Sequence, residues 1–563
     1  MRGTPDSSLA TGTDKSGASV PFTAPAPGPV TAILADHHPN AHAAIGHSPY
    51  AGSLLPVPAK LEGKVATAPP RPTSIKPVSV AALATIGDAH LTGPAHADVQ
   101  VTGVTLRAQH VVPGDLYAAL PGSRAHGADF AGTAIEHGAV AVLTDEVGAA
   151  KIKADVPVLV HDNPRSVVGL LAAHVYGNPS TKTRVWGVTG TSGKTTTSYL
   201  IESALRAAGR STGLIGTVEM RIGTERIDSA LTTPESPDLQ ALFAVMAERG
   251  ITDVVMEVSS HALELGRVAA TEFEIGAFTN LSQDHLDFHP DMEDYFRAKA
   301  KLFDGRARKE VVCVDSEWGE RLVNDKTITV ATTKNATWTA SDVEVSPTGE
   351  QTFTAHGPDG DIAIELRLPG SFNVANALLA IGCLHLEGVD KAAIAEGLKQ
   401  VQVPGRMQRV DEGQDFTAVV DYSHKPVAVA LALDAVRSKT AGRIITVLGC
   451  GGDRDKGKRP LMGEAAAQRS DVLIITDDNP RSEEPSSIRA AMLEGALKAE
   501  PRGEVVEIGD RGKAIEHAVS LARTGDVVVV AGKGHETGQE IAGVVHPFSD
   551  VETLAAAIRK AHS

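Results

Sequence analysis

A chain of 563 residues is too long for one ordinary hydrophobic core, so about three or four domains are expected. Its formal net charge of −16 and pI near 5.7 give no reason to expect a nucleic acid as main partner, although a local basic site for an anionic metabolite fits within that balance. No run of about 18 apolar residues occurs and MRGTPDSSLATGTDK has no apolar block behind its arginine, so neither a membrane span nor a signal peptide is expected and the reading is cytoplasmic.

Thirteen of the 32 prolines fall within residues 1–77, among Ala, Gly, Ser, Thr and His. Such a stretch cannot bury enough apolar surface to order itself, and it is read as a disordered, dispensable extension. From Val78 the texture changes to short apolar runs, VTGVTLRA, GDLYAAL, AVAVLTD and VPVLVHD, with a helical stretch at Ala131–His137. These predict a small α/β domain over 78–179 that ends at the turn Gly177-Asn178-Pro179. Residues 180–402 repeat a strand-then-helix rhythm, which predicts a mostly parallel sheet covered on both faces. A third α/β unit of Rossmann-like type is expected over 403–563, where TAVVDY, RIITVLG, DVLIIT, GEVVEIG and DVVVVAG each precede a helical stretch. Cys313, Cys383 and Cys450 are far apart and form no CxxC pattern, so they are read as small core residues of a reducing compartment.

The sharpest chemical signal is Val185–Ser198, VWGVTGTSGKTTTS. A strand leads into Gly190, Thr191, Ser192 and Gly193, whose turn aims backbone N–H groups inward, and Lys194, Thr195 and Thr196 open a helix whose positive end faces the same point. Lys194 suits the β/γ phosphates of a nucleotide and the Thr195 hydroxyl suits Mg²⁺. The common phosphate-loop pattern wants a glycine where this chain has Val188, so the loop is a shorter variant. Glu257 closes the strand DVVMEV and His285 follows IGAFTNL, so both stand at strand ends where a metal near Thr195 is within reach. In YFRAKAKLF, at 100° per residue, Lys299 falls among Tyr295, Phe296, Leu302 and Phe303 while Lys301 faces solvent. A buried lysine sheds its proton, and a neutral amine reacts with CO₂ to give a carbamate, an anionic oxygen ligand.

The segments GTSGKTT, MEVSSHAL with Arg267, NLSQDHLDFH, YFRAKAKLF, PGSFNVANALLA, PGRMQ, DYSHKP, GCGGDRDKGKRP, DDNPRSEEP and GKGHE together resemble the Mur ligases, from about residue 78 to the carboxyl terminus. The resemblance is narrower still to the branch that adds meso-diaminopimelate to UDP-MurNAc-L-Ala-D-Glu with ATP and Mg²⁺, through an acyl phosphate. It implies that Lys299 is an N6-carboxylysine and that Thr195, Glu257, His285 and carbamylated Lys299 serve the metal, with Lys194 beside them in catalysis. It further implies that Asn373, Asn376, Arg406 and Asp421 hold adenine and ribose, and that Thr232, Thr233, Ser259 and Arg267 hold the muramoyl-dipeptide, with Ser123 and Arg124 on UDP. Arg454, Asp478, Asn479, Pro480, Arg481, Gly532 and Glu536 are implied for diaminopimelate, where the Arg481 fork meets the carboxylate that lysine lacks. Two departures stand out: Leu265 takes the place of a glutamine, and Thr105-Leu106-Arg107 that of an Asp-Ser-Arg form. A monomer is expected. The same chemistry with L-lysine, or an inactive nucleotide-binding regulatory protein, are the readings left open.

Overall fold

The computed structural model describes residues 69–92, 98–122, 125–227, 231–286, 288–346, 350–438, 440–500 and 502–562. Three α/β sheets follow one another along the chain. The first has five strands in the order His90–Thr92, Val158–Val160, Ala141–Thr144, Asp115–Ala118 and Gly103–Thr105. The last four are parallel and His90–Thr92 is antiparallel to its neighbour. Apolar strand residues such as Leu116, Leu143 and Leu159 pack under the helix Pro164–Val175, whose Pro164 suits a first turn that needs no N–H donor. Asn178 at φ +50 and Gly177 at φ +70 make the expected turn out of this unit.

The amino-terminal boundary needs correction. Residues up to 68 of the expected extension lie outside the described residues, but 69–77 belong to the fold. Arg71 Nη1 pairs at 2.5 Å with Asp115, which is wholly buried, and the Thr73 and Ser74 amides donate to the Glu248 carboxylate at 3.0 and 2.7 Å. Ordering here comes from partners far along the chain rather than from local composition, which is proline-rich throughout.

The second sheet has eight strands, running Glu225–Ile227, Met220–Ile222, Thr212–Ile215, Asp253–Glu257, Arg184–Thr189, Phe273–Phe278, Ala307–Cys313 and Thr327–Val330. All pairings but the first two are parallel. Trp186 and Val188 pack with Leu200, Ala204 and Leu378 in its core, so the helices Lys194–Ala207 and Phe372–Leu386 cover one face. A three-stranded antiparallel sheet, Thr339–Val345, Gln351–His356 and Ile362–Leu366, is an addition that the strand-helix rhythm did not predict. Because Arg184–Thr189 lies between Asp253–Glu257 and Phe273–Phe278, the chain leaves it at a point where connections diverge to either side, which opens a crevice at the strand's carboxyl end.

The third sheet has six strands, Gln408–Arg409, Thr417–Asp421, Val527–Ala531, Ile444–Cys450, Val472–Asp477 and Glu504–Glu507, parallel except for the first pairing. One expectation fails: no helix directly follows Val527–Ala531. The chain instead forms the hairpin Gly538–Ile541/Val544–Pro547 before the final helix Asp550–His562. Ala542 and Gly543, at φ +49 and +79, form the two-residue turn whose twist suits such a hairpin. Cys313, Cys383 and Cys450 are buried and free, and among the described residues no helix is long and apolar enough to cross a membrane.

Candidate active site

The loop after Arg184–Thr189 is fixed from both sides. Gly190 at φ +145 and Gly193 at φ +87 adopt conformations that favour glycine, and neither has room for a side chain: a Cβ would meet Thr279 Oγ1 or Asn376 Oδ1. Thr191 N donates to Asn280 O at 2.9 Å, and Asn280 Oδ1 and Nδ2 bracket Ser192 N and O at 3.0 Å each. Thr195 and Thr196 are buried in the first turn of the helix that begins at Lys194. The loop is thereby held rigid, with the helix end open to an anion.

Three lysines converge on two carbonyls of this loop. Lys194 Nζ donates to Gly190 O at 2.9 Å and Thr191 O at 3.1 Å, Lys299 Nζ to Gly190 O at 2.8 Å, and Lys425 Nζ to Thr191 O at 3.1 Å. Lys299 is 1% exposed and faces inward with Tyr295, whereas Lys301 pairs at 2.6 Å with Glu264 at the surface, as the wheel predicts. Burial, followed by Lys194 and Lys425, pushes the Lys299 amine well below its ordinary value. Burial and then Lys425 bring Lys194 to about 8. Lys425 pairs with Asp284 at 2.6 Å; burial works against that carboxylate, yet Lys425, His285 and His424 outweigh it and keep it ionised. The surroundings of Lys299 thus favour the neutral amine that carbamate formation needs.

Glu257 organises the opposite wall. Its Oε1 accepts from Thr195 Oγ1 and from Thr217 N at 2.9 Å each, and its Oε2 accepts from Thr217 Oγ1 at 3.1 Å. Thr232 Oγ1 bonds Thr217 Oγ1 at 3.0 Å, and Thr233 Oγ1 donates to Glu257 O at 2.9 Å while accepting from Ser259 N at 3.2 Å. Arg267 reaches Thr233 O at 3.4 Å and pairs with Glu235 at 2.9 Å. His285 stands apart, with Nε2 3.1 Å from Asp284 and its ring edge-on to Tyr295; burial brings it to about 3 and leaves a neutral imidazole. Among the described residues no three His, Cys, Asp or Glu groups gather closely enough to cage a metal. The Thr195–Glu257 oxygen pair nevertheless fits Mg²⁺, which usually keeps waters and takes one or two carboxylates plus phosphate oxygens. Ser123 and Arg124 lie outside the described residues.

The third sheet reaches into the same crevice. Arg406 donates to Thr195 Oγ1 at 3.3 Å and stacks over Tyr422 at 4.3 Å. Asp421 accepts from Met407 N at 2.7 Å and from Ser423 N at 2.8 Å, which fixes the loop carrying Arg406. Asn376 Nδ2 donates to Asn373 Oδ1 at 3.0 Å beside Gly193. His535 Nε2 lies 3.2 Å from Thr217 O, which ties the loop after Val527–Ala531 to the Glu257 wall. On that loop, Glu536 accepts from Asn479 Nδ2 and Lys533 Nζ at 2.8 Å each, and a Cβ on Gly532 would strike Asp478. Arg481, at φ +55, donates through Nη1 to Gly452 O at 2.7 Å and lies 3.4 Å from Glu540. Arg454 is exposed, and its side chain and Arg481 Nη1 both border Gly451. Pro480 O packs so closely on Gly452 that any side chain there would clash.

A run of contacts and adjacent residues therefore joins the phosphate loop to Arg481, through Thr195, Glu257, Thr217, His535, the Glu536–Asn479 pair and Glu540. Sequence reasoning did not assign Asn280, Asp284, Thr217 or Lys425. Three of these lie in or beside quoted segments, NLSQDH and DYSHKP, whereas Thr217 has no sequence signal.

The pattern described as Mur ligase family, catalytic domain matches residues 100–176, Mur ligase middle domain matches 188–384, and Mur ligase, glutamate ligase domain matches 405–534. A protein of Streptomyces coelicolor named UDP-N-acetylmuramoyl-L-alanyl-D-glutamate--2,6-diaminopimelate ligase is 54% identical over 504 residues, which cover 87% of this chain and 98% of the relative. A Corynebacterium glutamicum protein of the same name is 52% identical over 483 residues, 83% of this chain and 93% of the relative. A solved structure of a ligase of that name, 32% identical, covers 87% of this chain and 100% of its own with a TM-score of 0.61. A crystal structure of MurF from Acinetobacter baumannii, 17% identical, shares the fold at a TM-score of 0.62 over 86% of this chain and 99% of its own. On the strength of these identities across nearly the whole length of its relatives, the chain belongs to the Mur ligase family.

Proposed function

We infer that this chain joins meso-diaminopimelate to UDP-MurNAc-L-Ala-D-Glu at the expense of ATP, making an amide bond in peptidoglycan precursor synthesis. The observation that carries the reading is the run of contacts from Lys194 to Arg481, which gives one crevice a phosphate end and a carboxylate-reading end. The names of the relatives at 52–55% identity support it.

In this reading Gly190, Gly193 and Lys194 hold the triphosphate, and Asn373, Asn376, Arg406 and Asp421 border the nucleoside. Thr195 and Glu257 would hold Mg²⁺, with His285 and a carbamylated Lys299 as the further ligands proposed, and the ion would offset charge on the phosphates. Thr232, Thr233, Ser259 and Arg267 orient the muramoyl-dipeptide. The D-glutamate carboxylate attacks the γ-phosphorus, ADP leaves, and the amine displaces phosphate from the resulting acyl phosphate. That intermediate is sensitive to water, which is why sheet-to-sheet contacts such as Arg406–Thr195 and His535–Thr217 close over the loop. Arg481, with Asn479 and Arg454, reads the distal carboxylate of diaminopimelate, while Glu536, an acceptor, suits an ammonium of the same substrate. A half-buried fork left without its carboxylate loses more than an apolar pocket loses over a methylene, so lysine is rejected.

The test is ADP release by the purified protein with UDP-MurNAc-L-Ala-D-Glu and each amino acid. Release with meso-diaminopimelate and little with L-lysine is expected. Equal or faster turnover with lysine refutes the specificity, and no release with either supports a regulatory protein instead.

A further inference from the structure

We infer that Lys425 is a further catalytic residue, a cation carried from the third sheet to the phosphoryl group in transfer; this rests on the ligase reading above. Lys425 stands just before the helix Pro426–Arg437, in the loop after the strand Thr417–Asp421. Its side chain is 11% exposed and crosses to the phosphate loop of the second sheet, 234 residues earlier in the chain, where Nζ meets Thr191 O at 3.1 Å. Lys194 Nζ meets that same oxygen at 3.1 Å, so the two ammonium nitrogens lie no more than about 6 Å apart. Lys299 shares the neighbouring Gly190 O with Lys194. The carboxylates facing these amines are Asp284, 2.6 Å from Lys425, and Glu257, which acts on Lys194 and is already held by Thr195 and Thr217.

A latch between sheets needs a hydrogen bond, not a charge, and burying a second cation beside Lys194 is costly without a compensating anion. A polyphosphate supplies that anion. The arrangement resembles an arginine finger supplied in cis: the charge arrives from a separate sheet and therefore only when the two are together. In the step served, a carboxylate oxygen of the D-glutamate bonds to the γ-phosphorus while the bond from that phosphorus to the β–γ bridging oxygen breaks. The electron pair leaves on ADP and no proton moves. Negative charge shifts towards the bridging oxygen and stays spread over the γ oxygens, and an ammonium near Lys194 stabilises that shift.

The experiment compares full-length wild type with Lys425→Arg and Lys425→Gln, reading ADP release with ATP, UDP-MurNAc-L-Ala-D-Glu and meso-diaminopimelate. Lys425→Gln is expected to lower kcat about 100-fold with the KM for diaminopimelate within about twofold, and Lys425→Arg to keep a tenth or more of wild-type kcat. Wild-type kcat in the Gln variant, or equal kcat in Gln and Arg, overturns the role of charge. Should the Gln variant fail to fold, Lys425→Cys treated with 2-bromoethylamine, which rebuilds a cation, is expected to regain at least tenfold over the same protein treated with iodoacetamide. Equal recovery with the two reagents overturns the inference. Wild-type turnover beside an unaffected Gln variant sinks this inference alone, whereas no turnover in the wild type sinks the ligase reading and this inference together.

Discussion

Around the loop Gly190–Gly193 the charges do not balance, and around Arg481 they do. Lys194, Lys425 and Arg406 face two carboxylates, Asp284 and Glu257, that already have partners, with Lys299 driven towards its neutral amine beside them in a half-buried crevice. Arg481 is half-buried, with Gly452 O on one side of the guanidinium and Glu540 on another, and Asp453 is within electrostatic reach. The first region attracts polyphosphate through surplus charge and tolerates different anions of that kind. The second offers a pre-oriented fork and gains by geometry, which is what discrimination between two similar amino acids requires.

The comparison breaks most sharply at Lys299. Lys299→Ala removes the proposed ligand and the amine that donates to Gly190 O, and turnover is expected to fall by about 10³-fold or more, with partial recovery in high CO₂ or a short carboxylic acid. Steady-state ADP release checks it, and full activity in the variant refutes the ligand role. Arg71 lies outside both regions and separates fold from chemistry. Arg71→Ala strands the buried Asp115, so urea unfolding is expected to show a loss of about 1–3 kcal/mol, discounted because the arginine is partly exposed, with kcat near wild type. The smallest effect sits where the regions join. Burial, helped by Arg406, brings His535 to about 4, below its ordinary 6.5. Its neutral form is favoured in the folded protein, so its contribution is fully present above pH 6.5 and is lost as pH falls through about 4. His535→Asn is expected to flatten that acid-side decline by about 1 kcal/mol in melts taken across this window.

The contrast also explains what the sequence made legible. Strands such as DVVVVAG and RIITVLG are continuous apolar runs, and the loop GTSGKTT has a spacing that turn chemistry alone does not explain, so the sheets and phosphate site could be read directly. The inward face of Lys299 followed from helical periodicity. What escaped reading depends on distant partners. Arg71 needs Asp115 and Ser74 needs Glu248, neither of which proline content reveals. The hairpin Gly538–Pro547 hides behind an Ala-Gly turn that lacks the usual Asn-Gly signal. Thr217 acquires its importance only when Glu257 and His535 meet it from two different sheets.

The most direct measurement is the ratio of kcat/KM for meso-diaminopimelate to that for L-lysine, in the wild type and in Arg481→Ala. A crevice with a polyphosphate end and a carboxylate-reading end predicts a wild-type ratio of at least about 10², collapsing to within tenfold of unity in the variant through loss of diaminopimelate turnover. An unchanged ratio in Arg481→Ala would contradict it.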